Sequence, residues 1–179
     1  MNSAHGPDYD VLVIGAGMVG AAAAALLARS GFSVAVIEGR APGEFDATGP
    51  DGRRVSAISP GAAAVLAEAG AWRQVLSGRH CPYSLMRVED PDESATIEFQ
   101  APEFGLESLG TIVENDLVQW SLWQSLSMMA GIELFCPEQV AGLDYEDGNP
   151  LVRLESGASL RARLLVGADG AGSKVRGLL

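Results

Sequence analysis

Basic residues, cysteine and histidine are all scarce in this chain, and each shortage removes a class of function. Twelve lysines and arginines stand against 23 acids, which leaves a formal charge of −11. A chain this acidic is a poor partner for nucleic acid and is repelled by anionic lipid. An anionic ligand must then be held by local devices, such as a helix N-terminus or a few arginines. The only cysteines, Cys81 and Cys136, are far apart and each precedes a proline. That spacing offers neither a metal site nor a disulfide framework, and it fits a reducing cytoplasm. His5 and His80 have no partner at ligand spacing, so no metal is expected. The opening MNSAHGPDYD has no basic stretch of the kind that begins a signal peptide.

What remains is a globular composition. At 179 residues, 47% of them hydrophobic, the chain is expected to form a single α/β domain over 1–179 with a proper core. Between residues 11 and 28 every position is apolar or glycine, which imitates a membrane span. Glycines early in that run and a β-branched start divide it instead into a buried strand, a tight turn and a buried helix. No transmembrane segment is expected.

The order of elements supports that division. Residues 9–14 read as a buried strand, 18–30 as an Ala- and Leu-rich helix with Gly31 at C′, and 33–38 as a second strand. Strand, turn, helix and strand at this spacing make a βαβ unit of a Rossmann-like parallel sheet. Residues 39–55 read as a long loop. Ser59-Pro60 opens a helix that Gly70 closes. Strand pieces are expected at 84–89, 95–99 and 110–113. A helix then runs from a cap at Glu114 or Asn115 to about residue 130, stopped by Gly131. The last fifty residues alternate apolar and polar side chains around turns, as in an added β-meander of three strands ending in LLVGAD.

The motif that carries chemistry is Gly15-Ala16-Gly17-Met18-Val19-Gly20, where the first strand hands over to the helix. Gly15 allows the tight turn, Gly17 lets the backbone approach a pyrophosphate, and Gly20 lets helix and strand pack closely. The N–H groups of the first helical turn, at Met18 and Val19, face the phosphates. Glu38 closes the second strand, where its carboxylate can accept both hydroxyls of an adenosine ribose and repel a 2′-phosphate. FAD and NAD are both compatible with this unit.

The segment Leu164–Arg176, LLVGADGAGSKVR, resembles the signature of the flavoprotein aromatic hydroxylases, the group that includes p-hydroxybenzoate hydroxylase. Read from the residues alone, an apolar strand ending in Asp-Gly sets a carboxylate at the sheet edge where cofactors bind. Between the two motifs, Arg54-Val55-Ser56-Ala57-Ile58-Ser59, Gly70-Ala71-Trp72, Ile112-Val113-Glu114-Asn115 and Leu122-Trp123 resemble the ubiquinone-biosynthesis hydroxylases of that group. The resemblance implies FAD as cofactor, NAD(P)H as co-substrate, and O2-dependent hydroxylation of an aromatic polyprenylphenol. It further implies that Asp169 contacts FAD, that Arg54 approaches the pyrophosphate, that Asn115 lies near the cofactor and that Arg40 lies close to the adenosine. Arg40, Arg53 and Arg54 are otherwise ordinary loop charges.

The resemblance covers the first half of a typical member. The later Gly-Asp-Ala-Ala-His-type motif, which holds the rest of the flavin in that group, is absent, so a truncated chain with weak FAD affinity and no turnover is expected. No acid or base among these residues is assigned a catalytic role. A face left open by the missing half would favour a homo-oligomer, and any link to a membrane-bound biosynthetic complex would be peripheral. Two other readings stand beside this one: an NAD-dependent dehydrogenase domain and a non-catalytic piece. Trp120 and Trp123 are expected to pack within their helix, and Met128-Met129 to fill gaps in the core.

Overall fold

The computed structural model describes residues 7–49, 54–90 and 95–179; His5 and Arg53 lie outside them. In chain order the elements are β1 Tyr9–Ile14, α1 Met18–Arg29, β2 Val34–Ile37, β3 Val55–Ile58, α2 Pro60–Glu68, α3 Trp72–Val75, β4 His80–Tyr83, β5 Leu85–Glu89 and β6 Thr96–Gln100. A 3-10 turn over Ala101–Phe104 precedes β7 Gly110–Glu114, α4 Asn115–Ser127, β8 Ile132–Phe135, β9 Val140–Glu146, β10 Asn149–Leu154, β11 Ser159–Gly167 and α5 Val175–Leu178. The chain divides into two compact units, 1–43 with 122–179, and 44–121.

The first unit is built on a six-stranded sheet of order β8-β2-β1-β11-β10-β9. β1 pairs in parallel with β2 (Val11 opposite Val34) and with β11 (Leu12 opposite Leu165). β1 is apolar along its buried part because parallel strands in the middle of a sheet are covered on both faces. Leu12, Ile14, Ala35 and Ile37 share one core with Val140, Val152, Leu154, Leu160 and Val175. Val11, Val13, Val34 and Val36 alternate onto the opposite face, and α1 packs against β1, β2 and β8. The helix presents Gly20, Ala21, Ala24 and Ala25 as its buried side. Small residues let the helix axis approach the sheet. α1 stops at a Ser30 C-cap, with Gly31 at φ +90° as the left-handed C′ residue.

β11 serves two sheets' worth of pairing. Ser159–Arg161 run antiparallel to β10, and Ala162–Gly167 run parallel to β1. This one strand converts the meander into the parallel sheet.

The second unit holds a three-stranded sheet, β3-β7-β4, and a separate hairpin, β5-β6. Ser59 caps α2 by accepting from the Ala62 N–H at 3.3 Å, with Pro60 at N1, as the Ser-Pro pair predicts. Gly70 follows at φ +84°.

Several boundaries differ from the sequence reading. The helix expected to reach about residue 130 ends at Ser127, and Met128 is 80% exposed rather than filling a core gap. β3, β4 and β8 had no separate expectation. Each has four residues, too short for a period to show, and β4 contains Pro82. Trp120 and Trp123 are half-buried on α4. Among the described residues no helix is long and apolar enough to cross a membrane, so the run at 11–28 is a strand, a turn and a helix.

Candidate dinucleotide site

β1, β2 and β11 are parallel, so their C-terminal ends lie along one edge of the sheet. The residues that follow them are Gly15, Glu38 and Ala168-Asp169. Backbone bonds fix the three together: Gly15 N–H donates to Ile37 O at 2.8 Å, and Ala168 N–H donates to Ile14 O at 2.7 Å. Loops at such an edge are where open α/β sheets hold ligands.

The three glycines of the turn answer to different demands. Gly15 has φ +97°, and a Cβ there would sit 2.6 Å from the Ala168 carbonyl oxygen. A Cβ at Gly20 would sit 2.0 Å from the Gly15 carbonyl oxygen and 2.9 Å from the Ala168 Cβ. Gly17 differs. It has ordinary backbone angles, φ −61° and ψ 175°, and nothing within 4 Å of where a Cβ would stand. The space in front of Gly17 is open, at the N-cap of α1. No side chain caps that helix, and its first turn carries no acid. The N–H groups of Met18, Val19 and Gly20 and the positive end of the helix dipole are therefore available to an anion. Val19 is 78% exposed on that turn.

Glu38 lies one residue past β2, not within it, and its carboxylate is already engaged. Oε2 accepts from the Ala16 N–H at 2.7 Å, and Oε1 accepts from the Arg40 N–H at 3.0 Å. Its main chain is pinned as well, N–H to Phe135 O at 3.0 Å and C=O from Glu138 N–H at 2.9 Å. A carboxylate offers about four acceptor positions, so two remain for ribose hydroxyls. The expected role of Glu38 thus acquires a second part: it holds the glycine turn.

A cavity of about 220 Å³ opens at this edge, lined by Gly15, Glu38 and Asp169 together with Gln139, Val140 and Lys174. The last three were not singled out from sequence. Gln139 and Val140 begin the meander, where nothing marks them. Lys174 donates from Nζ to Gln139 Oε1 at 3.0 Å and to Glu155 Oε1 at 3.3 Å, joining the Asp-Gly segment to the meander.

Asp169 closes its own loop. Its Oδ2 accepts from the Val175 N–H at 3.2 Å. Partial burial raises its pKa, but the Ser173 hydroxyl and nearby backbone N–H groups outweigh that, so the carboxyl lies below the usual 3.8. A lowered folded-state pKa stabilises the fold above the unfolded value, and that contribution is lost as pH falls through the folded value. Wild type is therefore expected to exceed Asp169→Asn in Tm at neutral pH, with the gap closing below roughly pH 4. Thermal melts across pH 3–7 read this directly, and a constant gap would contradict it.

Arg40 is exposed. Arg54 and Asn115 belong to the second unit, where the Asn115 N–H donates to the Arg54 carbonyl at 3.0 Å. α4 starts at Asn115, so of the two residues expected at its cap Glu114 holds the N-cap position, while the Asn115 Oδ1 accepts from the Ser56 hydroxyl at 2.6 Å. Among the described residues no cluster of acids, cysteines or histidines could hold a metal ion. Cys81 and Cys136 are free thiols.

The sequence profile of the FAD binding domain family matches residues 8–179, which takes in both units. The chain belongs to the FAD-binding domain family. Its curated relatives include the 3-demethoxyubiquinol 3-hydroxylase of Escherichia coli (strain K12), 38% identical over 93% of this chain and 42% of that protein. The mitochondrial ubiquinone biosynthesis monooxygenase COQ6 of Xenopus tropicalis is 36% identical over 97% of this chain and 40% of its own length. The chain thus spans about two-fifths of the relatives it matches. Among solved structures, p-nitrophenol 4-monooxygenase PnpA from Pseudomonas putida DLL-E4 shares the fold, with a TM-score of 0.72 at 24% identity over 94% of this chain and 42% of that one. The open cradle before Gly17 and the uncapped α1 terminus suit the pyrophosphate of a dinucleotide, and the Glu38 carboxylate at the same edge keeps acceptor positions for hydroxyls.

Proposed function

We propose that this chain is the FAD-binding part of a flavin-dependent monooxygenase that hydroxylates an aromatic polyprenylphenol, a ubiquinone precursor. The observation that carries the reading is the meeting of the glycine turn, Glu38 and Asp169 at one sheet edge, within a chain whose relatives include a 3-demethoxyubiquinol 3-hydroxylase and a ubiquinone biosynthesis monooxygenase. When bound, FAD supplies the redox chemistry: with NAD(P)H, O2 and a proton, one oxygen atom enters the ring and the other leaves as water. The chain's own residues bind and orient. Gly15 and Gly20 shape the turn, and Gly17 admits the pyrophosphate to the N–H groups of Met18, Val19 and Gly20. Glu38 receives the adenosine ribose, Arg40 flanks the adenosine, and Asp169 contacts FAD. Arg54 and Asn115 are proposed as cofactor contacts on the family resemblance. We further propose a cytoplasmic location, on the sparse and widely spaced cysteines, self-association, and a peripheral link to a membrane-bound biosynthetic complex.

The test is direct. Titrating FAD with the purified chain should quench flavin fluorescence, and the bound fraction should carry flavin absorption at roughly 450 nm. NAD binding without that colour would favour a dehydrogenase domain. Binding of neither would favour a non-catalytic piece.

A further inference from the structure

Arg79 stands in the bend between α3 and β4, where nothing in the sequence singles it out. We propose that Arg79 is a positioning residue, holding the backbone at 45–49 to the strand end that carries Arg54 and Asn115. Its relevance to the cofactor rests on the FAD reading above.

The guanidinium is shared between two segments. Toward β7, Nε donates to Glu114 Oε1 at 2.5 Å and Nη2 donates to Glu114 Oε2 at 3.1 Å. Toward the preceding loop, Nη1 donates to the carbonyls of Ala47 at 2.7 Å and Gly49 at 3.0 Å. The guanidinium carbon also lies 5.5 Å from the centre of the Phe45 ring. The Glu114 side chain is only 8% exposed, so its charge is costly unless paired, and Arg79 pairs with it. A planar fork can serve a carboxylate and two carbonyls together, whereas an ammonium is a point charge that cannot hold that geometry.

Glu114 connects this grip to the proposed cofactor residues. It is the last residue of β7 and pairs with Val55, and the next residue is Asn115. Asn115 N–H holds the Arg54 carbonyl, and Ser56 holds the Asn115 amide. The loop side of the grip is itself ordered by Asp46, which accepts from the N–H and hydroxyl of Thr48 at 2.8 and 2.7 Å. A movement of Arg79 therefore reaches Arg54 and Asn115 through Glu114, without Arg79 meeting the cofactor.

The experiment compares Arg79→Lys, Arg79→Met and the double variant Arg79→Met/Glu114→Gln in the full 179-residue chain. Hydrogen exchange at the Thr48 and Gly49 amides, FAD affinity and Tm are read together. The expected result is at least tenfold faster exchange at both amides and at least tenfold weaker FAD binding in all three variants. The double variant should recover Tm, because the buried charge of Glu114 is removed together with that of Arg79, yet recover neither exchange nor affinity. A plain structural ion pair behaves otherwise, and recovery of all three readouts in the double variant would overturn the proposal. So would unchanged exchange in Arg79→Met, or faster exchange with FAD affinity intact. If the wild-type chain binds no FAD, the FAD reading fails, and exchange alone then decides whether Arg79 holds the two segments together.

Discussion

Gly20→Ala is expected to cost this protein its stability, while Gly17→Ala costs only its ligand. A methyl group at position 20 would meet the Gly15 carbonyl oxygen at 2.0 Å and the Ala168 Cβ at 2.9 Å. The oxygen belongs to the main chain of the tight turn, which cannot swing aside as a side-chain end can. Relief requires α1 to move off the sheet, opening the contact of Ala21, Ala24 and Ala25, all completely buried. Overpacking of this kind costs about 3 kcal/mol or more, a Tm fall of roughly 6–12 °C for a chain of this size. Gly17 has unstrained angles and open space around it, so alanine there should leave Tm nearly unchanged, within about 0.5 kcal/mol. Its methyl group would instead occupy the approach of the pyrophosphate, and FAD affinity should drop at least tenfold, about 1.4 kcal/mol. Melts and FAD titrations of the two variants, side by side, separate these roles. Equal losses of Tm would show that Gly17 is packed rather than open, and unchanged FAD affinity in Gly17→Ala that its face is not the ligand's path.

Glu38→Ala is expected to weaken both the fold and the binding of FAD. The carboxylate accepts from the Ala16 N–H, and Ala16 is 1% exposed. Alanine at 38 strands that donor where water does not easily replace the acceptor, at a cost of about 1–3 kcal/mol. The Arg40 N–H loses its acceptor too, though at a more exposed place. The glycine turn then loses its side-chain brace, and the proposed ribose loses its partner, so FAD affinity should fall by more than tenfold. Glu38→Gln should be intermediate in Tm. Its carbonyl oxygen can serve one N–H, but its amide nitrogen then faces the other donor. Affinity that falls in Glu38→Ala with Tm unchanged would mean the carboxylate acts on the ligand alone and does not brace the turn.

Glu38 illustrates how far the sequence could be read. Its position after a strand, downstream of the glycine turn, marked it as a ribose acceptor. That it also holds Ala16 and Arg40 was invisible, because those bonds depend on how the turn folds back on β2. Lys174, Gln139 and Val140 were missed for a similar reason. They reach the cavity only because β9 and the Asp-Gly segment converge on the ends of β1 and β2. Arg79 and Glu114 are 35 residues apart, and nothing local predicts their pairing. The short strands β3, β4 and β8 escaped because four residues show no clear period. All three also lie at the edges of their sheets, and β4 includes a proline.

The sequence by itself determined the local pieces: the β1–α1–β2 unit, the glycine turn, the Ser59 cap, the Gly31 stop and the meander. Each follows from side-chain periodicity, from a backbone angle that glycine favours, or from a capping group within a few residues, all of which are written in neighbouring positions. Only the tertiary structure decided that β11 lies beside β1, and hence that Asp169 stands next to Gly15 although 154 residues separate them along the chain (169 − 15). Strand order is fixed by which apolar faces can be buried together. That is a property of the whole packed sheet, not of any one stretch of chain.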